Sequence, residues 1–352
     1  MTRFAWLQSR TQILGAAVAL AALALVAAVT GPYLGHLYAT TVAPCQARGD
    51  CQTAVGEFLS HDGFLRGALP LLLLLVPALL GIFWGAPLLA RELETGTFRL
   101  AWTQSVTRSR WLTGKLLLAA AATALVAGLA SLTVTWWLRA PDLLDASRFS
   151  PPEFDERGVV AIGYAVFAVM LGALAGAVIR RTLPAMAATL AGFVGVRLAV
   201  VRWVRPHLLA PLHQIVPLRS ASSFGFTTHG SGMMLAVRGT RLPNAWVYST
   251  QLVTGSGHVA TEAERAQFVH QYCPALASVS PVPGPGGTHV RAVPDAAFKN
   301  CIDLAGQRFH LLVAYQPPSR YWAFQWLETG VFLALALLAA AACFWWVRRR
   351  LS

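Results

Sequence analysis

The segment RELETGTFRLAWTQSVTRSRWLTGK, residues 91–115, is a charged island between two long apolar runs. It contains five basic residues and two acids, Glu92 and Glu94. Short loops that are rich in Lys and Arg remain on the cytoplasmic side of membrane proteins. We therefore expect the island to face the cytoplasm, where it can contact a soluble partner.

The composition of the whole chain indicates a membrane protein. Of the 352 residues, 56% are hydrophobic and 12% are charged, and the mean hydropathy is +0.54. A water-soluble core of this size cannot bury so many apolar side chains. The net charge of +13 would favour nucleic-acid binding if the basic residues formed one patch, but they cluster at the ends of apolar runs.

Six apolar runs are each long enough to cross a hydrocarbon core of about 30 Å as a helix. They cover residues 13–30, 67–90, 116–138, 159–179, 183–204 and 322–347. A cleaved signal peptide is the alternative for the first run, but the run is long and the sequence GPYLGHLY after it has no convincing cleavage site. We predict an all-α polytopic membrane protein with six transmembrane helices.

Two of these runs have distinctive internal residues. Pro70, Pro77 and Pro87 predict a kink in the second helix, because proline lacks a backbone N–H. Gly172 and Gly176 in the fourth run have the small-xxx-small spacing that lets two membrane helices approach closely.

Six spans place both termini on one side of the membrane. If that side is the cytoplasm, twelve Lys and Arg residues lie inside and five lie in the two short outer loops. This inequality obeys the positive-inside rule, whereas the inverted orientation would reverse it. We predict a multi-pass protein of the cell membrane with both termini in the cytoplasm.

Four of the five cysteines fall in the predicted outer segments, where an oxidising environment permits disulfides. Cys45 and Cys51 lie in the first outer loop, and Cys273 and Cys301 lie in the large outer segment. We expect each pair to join locally, although sequence alone does not fix connectivity. A zinc site at Cys45 and Cys51 with a nearby histidine is the alternative, but the spacing matches no established ligand pattern.

Residues 205–321 have the composition of a soluble domain, rich in Gly, Pro, Ser and Thr. Short apolar patches in this segment predict strands. Thr261 and Glu264 have the spacing of a capping box at the start of a helix over 261–272. We predict an extracellular domain of mixed α/β structure here. Spans one to five then occupy 1–204, and the sixth span with a basic cytoplasmic tail occupies 322–352.

Motifs for catalysis are missing from the sequence. It contains no G-x-x-x-x-G-K-[ST] to hold nucleotide phosphates, no H-E-x-x-H and no G-x-S-x-G. We therefore predict no catalytic residue and no metal site, and a chain that is not itself an enzyme.

Three charged residues lie within the predicted spans: Arg197, Arg202 and Glu328. A charge in the bilayer is usually paired or lines a water-filled path, because burying it in hydrocarbon is costly. We expect Glu328 to pair with Arg202 or Arg197, or the arginines to reach the outer surface. Contact with a substrate is the functional alternative.

The island resembles that of the permease subunits of type-2 ATP-binding-cassette (ABC) exporters. After their second span these carry E-x-E-x-G-T, a Thr/Gln-rich turn, an Arg pair and a Lys. The matching residues here are Glu92, Glu94, Gly96, Thr97, Thr103, Gln104, Arg108, Arg110 and Lys115. Leu93 and Ser105 stand where members of the family often have Arg and Pro, which affects a salt bridge and the stiffness of the turn. The sequence YQPPSRYWAFQWLE, residues 315–328, resembles the start of the last span in actinobacterial permeases of this kind.

The resemblance implies that the island contains a coupling helix, within residues 91–112, that docks on a separate ATPase. A helix over 92–104 would have its two acids near the positive end of the helix dipole. The residues implied in ATPase coupling are Glu92, Leu93, Glu94, Gly96, Thr97, Arg99, Leu100, Thr103, Arg108 and Arg110. Two permeases, identical or related, would assemble with two ATPase copies. ATP and Mg²⁺ would bind to the ATPase, and this chain would hold no cofactor.

The activity implied by the resemblance is export of an amphipathic substrate, such as a drug, an antibiotic or a lipid, driven by ATP hydrolysis. Two other classes stay open. A mechanotransmitting or sensing complex would use the same ATPase without moving cargo. A channel or carrier would transport solute with no ATPase present.

Overall fold

The computed structural model describes residues 2–46, 51–61, 73–96, 107–139, 149, 151–229, 232–240, 242–274, 282–284, 287–289 and 295–350. The chain forms two compact units. The first unit combines Met1–Leu209 with Arg320–Ser352, and the second is Ala210–Ser319. The first unit is helical, and the second contains antiparallel strands.

Within the described ranges, six helices of the first unit are long and apolar enough to cross a membrane, as the sequence predicts. Spans 1 to 6 are Ile13–Cys45, Leu73–Thr95, Arg108–Trp137, Val160–Ile179, Thr182–His207 and Pro318–Arg350. Span 1 is part of a helix that starts at Thr2 and continues past residue 30, where the sequence predicts its end. It continues because Leu34 and Val42, both 0% exposed, still pack into the unit. Two shorter helices, Gln52–His61 and Pro151–Glu156, lie outside the spans.

Three spans contain a π-helical turn, and each turn ends two residues before a proline. The turns are Tyr38–Val42 before Pro44, Gly81–Gly85 before Pro87, and Val200–Val204 before Pro206. Proline has no backbone N–H, and its ring clashes with the carbonyl four residues earlier. A wider turn with one additional residue relieves both problems. Of the three prolines from which the sequence predicts a kink, Pro87 is accompanied by a widened turn, and Pro70 lies outside the described residues.

Spans 2 and 4 approach each other closely through glycines. A Cβ added to Gly172 would lie 2.6 Å from the carbonyl oxygen of Gly81, and one added to Gly176 would lie 2.5 Å from the carbonyl oxygen of Ala86. No side chain fits between the two backbones at these points. The close approach predicted from the spacing of Gly172 and Gly176 is confirmed, and span 2 is the partner.

The second unit is built on small antiparallel sheets, and mixed α/β structure in this segment is confirmed. Its strands are β1 Leu212–Pro217, β2 Ala221–His229, β3 Gly232–Thr240, β4 Trp246–Thr254, β5 Val282–Gly284, β6 Gly287–His289 and β7 Phe309–Gln316. The order β1-β7-β4 forms one sheet, and β2-β3 and β5-β6 form hairpins. Helices Glu262–Tyr272 and Asp295–Arg308 complete the unit. Its core includes Leu235, Leu311 and Val313, which are each 0% exposed.

The predicted capping box is present at the start of helix Glu262–Tyr272. The hydroxyl of Thr261 accepts from the backbone N–H of Glu264 at 3.2 Å, and the Glu264 carboxylate accepts from the backbone N–H of Thr261 at 2.8 Å. The second oxygen of Glu264 lies 2.9 Å from His258 Nε2. The bond from the Thr261 backbone and that from His258 lower the pKa of Glu264 to about 2.

Both cysteine pairs join locally. Cys45 and Cys51 form one disulfide and Cys273 and Cys301 form the other, each with a Cα–Cα distance of 5.5 Å. The second disulfide joins the residue that ends helix Glu262–Tyr272 to helix Asp295–Arg308 inside the core of the second unit.

Candidate functional site

The two ends of the helical unit each carry a cluster of charged side chains. At the Gly96 end, span 2 ends and spans 3 and 5 begin. At the Asp155 end, spans 4 and 6 begin and span 5 ends.

Five polar side chains are enclosed at the Asp155 end. Together, Asp155, Tyr164, Arg197, Arg205 and Glu328 are called the Asp155 cluster. They come from helix Pro151–Glu156 and from spans 4, 5 and 6. Glu328 and Tyr164 are 0% exposed and Arg205 is 3% exposed. The cluster therefore holds four separate elements together away from solvent.

Arg205 lies at the centre of the Asp155 cluster. Its Nε donates to Glu328 Oε2 at 2.7 Å and its Nη2 donates to Glu328 Oε1 at 2.9 Å, which makes the pair bidentate. Nη2 also donates to the hydroxyl of Tyr164 at 3.0 Å and to Asp155. One guanidinium thus binds two carboxylates that lie far apart in the sequence.

Arg197 supplies the second positive charge. Its Nη2 donates to Asp155 Oδ2 at 2.9 Å, and its Nη1 donates to the carbonyl oxygen of Leu74 at 3.1 Å. The hydroxyl of Tyr164 donates to Glu328 Oε1 at 2.6 Å, and the guanidinium of Arg197 lies 4.8 Å from the Tyr164 ring centre. Two guanidinium groups balance two carboxylates, so the cluster is neutral as a whole, which lowers the cost of burying it.

Aromatic rings and the side-chain amide of Gln325 hold helix Pro151–Glu156 against the Asp155 cluster. The guanidinium of Arg205 lies 4.5 Å from the ring centre of Phe154, and the rings of Phe154 and Tyr321 are 5.6 Å apart. Gln325 donates to the carbonyl oxygen of Phe154 at 3.0 Å and accepts from the backbone N–H of Val160 at 3.0 Å. These contacts fix the position of the Asp155 carboxylate, because Asp155 follows Phe154 directly.

The π-helical turn Val200–Val204 brings the two arginines of span 5 onto one face. At about 100° per residue, Arg205 would lie roughly 80° around a regular α-helix from Arg197. The π turn takes up about one additional residue, so Arg205 occupies roughly the position of residue 204 in a regular helix, nearly in line with Arg197 two turns earlier. The wider turn before Pro206 thus places both arginines on the face that meets Asp155.

The structure corrects the predicted pairing of the charges within the spans. Glu328 pairs with Arg205, and Arg197 pairs with Asp155, whereas Arg202 is exposed. Sequence reasoning missed Arg205 because the predicted fifth run ends at residue 204, and it missed Asp155 because this residue lies between the third and fourth predicted runs. Pro206 was the available signal, since a proline near a helix end changes which side chains share a face.

At the Gly96 end, Glu92 connects span 2 to span 3. Its carboxylate forms an ion pair with the ammonium of Lys115, and Glu92 is 7% exposed. The same ammonium lies 4.7 Å from the ring centre of Trp111. The first acid of the E-x-E motif and the Lys at the end of the island are therefore partners across the island.

Glu94 connects span 2 to the start of span 5. One carboxylate oxygen accepts from the backbone N–H of Thr182 at 3.2 Å and from its hydroxyl at 2.7 Å. Thr182 is the first residue of the span 5 helix, so its backbone N–H has no partner within the helix. The Glu94 carboxylate accepts from this N–H and lies near the positive end of the helix dipole. Glu94 acts as the cap that the preceding Arg181 does not provide.

The prediction that a helix over 92–104 starts at the two acids is wrong. The helix of span 2 continues through Glu92 and Glu94 to Thr95 and ends at Gly96, which has φ 72°. It continues because no residue before Gly96 favours a left-handed terminating conformation. Leu93 is half-buried in the last turn. Arg108 and Arg110 lie in the first turn of span 3, capped by Thr107.

Four of the predicted coupling residues, Thr97, Arg99, Leu100 and Thr103, lie outside the residues that the structure describes. Their role stays a prediction.

Six apolar helices that enclose paired charges define a multi-pass membrane protein. The model of a family described as ABC-2 membrane transporter related matches residues 17–205, more than half of the chain. The chain belongs to this family, and the predicted resemblance of the chain to ABC-2 permeases is confirmed. No curated protein and no solved structure matches the chain.

Membership in this family implies an ABC permease subunit, located in a membrane and associated with an ATPase subunit. The matched residues include the whole island, the π turns of spans 2 and 5, and both arginines of the Asp155 cluster.

Proposed function

We propose that this chain is the permease subunit of an ABC exporter that moves an amphipathic substrate across the cell membrane. Two permeases, identical or related, form the pathway, and two copies of a separate ATPase bind ATP and Mg²⁺ on the cytoplasmic side. The family match over residues 17–205 carries this proposal. The six membrane helices support it.

The contacts at the Gly96 end support a route from the ATPase to the spans. Two acids near the start of the island contact other helices. Glu92 forms an ion pair with Lys115 of span 3, at the end of the island, and Glu94 is hydrogen-bonded to Thr182 of span 5. A displacement of the island by a docked ATPase moves the ends of spans 2, 3 and 5 together. In this proposal Glu92 and Glu94 are positioning residues, and the residues between Gly96 and Thr107 touch the ATPase.

The Asp155 cluster is the closed gate of the pathway in this proposal. Span 5 carries Thr182 at one end and Arg197 and Arg205 towards the other, so a movement that starts at the Gly96 end reaches the cluster along one helix. Opening separates Arg205 from Glu328 and lets water solvate both charges. A neutral, water-excluding cluster suits a closed state, because the paired charges need no solvent.

Transport in proteoliposomes tests the proposal. The permease is reconstituted with the ATPase that co-purifies with it, and export of a fluorescent phospholipid analogue is measured with ATP and Mg²⁺. We expect Glu94→Ala and Gly96→Leu to lower transport per ATP hydrolysed at least fivefold, because the island no longer moves with span 5. Glu262→Ala, in the second unit, is the matched control and should transport normally.

Undiminished transport and ATP hydrolysis in both island variants would contradict the coupling route. Transport without any ATPase would contradict the exporter proposal as a whole and favour a channel or carrier.

Mechanotransmission is the second candidate, and the second unit favours it. This unit has a buried core and a disulfide of its own, as a domain that binds a protein partner would. In that case ATP hydrolysis changes the affinity of the second unit for its partner, and the phospholipid analogue does not move. The same proteoliposomes therefore distinguish the two functions.

A further inference from the structure

A patch of exposed arginines lies at the Gly96 end. Its members are Arg180, Arg181, Arg348, Arg349 and Arg350, called the arginine patch. Arg180 Nη2 donates to the carbonyl oxygen of Arg350 at 3.0 Å. This bond joins the turn between spans 4 and 5 to the end of span 6, so two clusters that are far apart in sequence form one surface.

The arginine patch carries an excess of positive charge within the described part of the chain. Within the described part of the chain, no carboxylate lies at ion-pair distance from any of its five guanidinium groups. Glu94 reaches the same turn: its carboxylate is hydrogen-bonded to Thr182 and also interacts electrostatically with Arg181, so it offsets one of the five positive charges. The Asp155 cluster differs in this respect, because it pairs each of its guanidinium groups with a carboxylate.

Two tryptophans stack with arginines of the patch and indicate its expected depth in a bilayer. The guanidinium of Arg349 lies 5.3 Å from the ring centre of Trp345, and that of Arg350 lies 5.8 Å from the ring centre of Trp346. Tryptophan at the end of a membrane helix occupies the interface between hydrocarbon and water. We therefore expect arginines that stack on these rings to lie at the level of the phosphates.

The backbone of Arg180 permits a variant that removes one charge of the patch without a loss of backbone stability. Arg180 follows the last residue of span 4 and has φ 58°, the left-handed conformation that glycine favours at a helix C-terminus. A side chain here is retained in a strained conformation. Glycine at this position would relieve the strain.

We propose that the arginine patch binds the phosphate groups of anionic phospholipids in the leaflet at the Gly96 end. Guanidinium matches phosphate geometry with two parallel hydrogen bonds. Each arginine near an anionic surface strengthens binding about fivefold at low salt. Because the patch spans the ends of spans 4, 5 and 6, bound lipid would hold these three helices together.

Lipid binding is tested with the purified full-length permease and no ATPase. Native mass spectrometry counts retained phosphatidylglycerol after exchange from mixed micelles, with phosphatidylcholine as the zwitterionic reference. We expect preferential retention of phosphatidylglycerol, a loss of about 25-fold in apparent affinity in Arg349→Gln/Arg350→Gln, and weakening by added salt.

Arg180→Gly is the sharpest single variant. It removes one charge and also relieves the backbone strain, so we expect lower lipid affinity, by about fivefold, with unchanged or higher thermal stability. Arg219→Gln/Arg238→Gln, at exposed arginines of the second unit, is the matched control and should retain phosphatidylglycerol as the wild type does.

Equal retention of the two lipids, or full retention of phosphatidylglycerol by the double variant, would overturn the proposal. A second outcome would also overturn it. If Arg349→Gln/Arg350→Gln abolishes ATPase co-purification in phosphatidylcholine alone, while the affinity for phosphatidylglycerol is unchanged, the patch is a protein docking surface. These outcomes are independent of whether the chain exports an amphipathic substrate.

Discussion

The two ends of the helical unit carry the same residue type in opposite environments. At the Asp155 end, Arg197 and Arg205 are enclosed and bound to carboxylates. At the Gly96 end, the arginines at 180–181 and 348–350 are exposed, with no carboxylate at ion-pair distance in the part of the chain that the structure describes. The first set therefore stabilises contacts between helices, whereas the second set is available to a partner outside the protein.

This difference shows that the surroundings of a charged side chain decide how much it contributes to the stability of the fold. Removing one member of a buried pair leaves an uncompensated charge, which is strongly destabilising. Removing an exposed charge changes little in the fold. The following variants test that contrast, from the largest expected effect to the smallest.

Arg205→Gln should have the largest effect on stability. It leaves the Glu328 carboxylate buried without its cation, which costs about 3–5 kcal/mol in the free energy of unfolding. Arg202→Gln, at an exposed arginine three residues earlier, is the matched control and should change stability by less than about 0.5 kcal/mol. Unfolding in a mixed-micelle denaturant series measures both.

The double variant Arg205→Leu/Glu328→Leu sharpens this test. Replacement of both partners of a buried pair by apolar side chains should recover most of the lost stability. If the Asp155 cluster is a gate, the recovered protein will still have altered transport. Equal stability of Arg205→Gln and Arg202→Gln would contradict the enclosed environment of Arg205.

Gly172→Ala tests the contact between spans 2 and 4, which lies between the two ends. The new Cβ meets the Gly81 carbonyl oxygen at 2.6 Å, and backbone cannot move aside easily, so we expect a loss of about 1–3 kcal/mol. Gly195→Ala in span 5 is the control, because nothing lies within 4 Å of its Cβ. There the better helix propensity of Ala should stabilise the protein by up to about 1 kcal/mol. A gain in stability for Gly172→Ala would argue against the close approach.

The smallest expected effect on stability is at Glu264. Its carboxylate is partly exposed and hydrogen-bonded, an environment different from both ends of the helical unit. Its pKa is lowered from 4.5 to about 2 in the folded protein, so its contribution to stability is present above pH 4.5 and is lost as the pH falls towards 2. Glu264→Gln should therefore speed amide exchange at the start of helix Glu262–Tyr272 at pH 6, and this difference should shrink at lower pH. Glu262→Gln, outside the capping box, is the control. A pH-independent difference would contradict the lowered pKa.

Much of the fold could be predicted from the sequence. Apolar runs of the right length predicted six membrane helices, since the hydrocarbon core sets that length. The spacing of Gly172 and Gly176 predicted a close helix contact, and Thr261 with Glu264 predicted a helix start. These features depend on local residue chemistry, which one sequence contains in full.

The pairing of charges could not be predicted in the same way. Asp155 lies in a loop by composition, and only the packing of Gln325 and Tyr321 around Phe154 brings it to the arginines. The roles of Glu92 and Glu94 likewise depend on Lys115 and Thr182, which belong to other spans. Which residues meet across spans is a property of the packed bundle.

By itself, the sequence determined that this chain enters a bilayer, which segments cross it, and that it resembles an ABC permease, because hydropathy and short motifs are read along the chain. Only the tertiary structure decided which charges are enclosed and which are exposed. The physical reason is that the π turn rotates Arg205 inward by roughly 100°, the angle of one helical residue. Whether Arg205 then meets a carboxylate depends on the packing of three other elements.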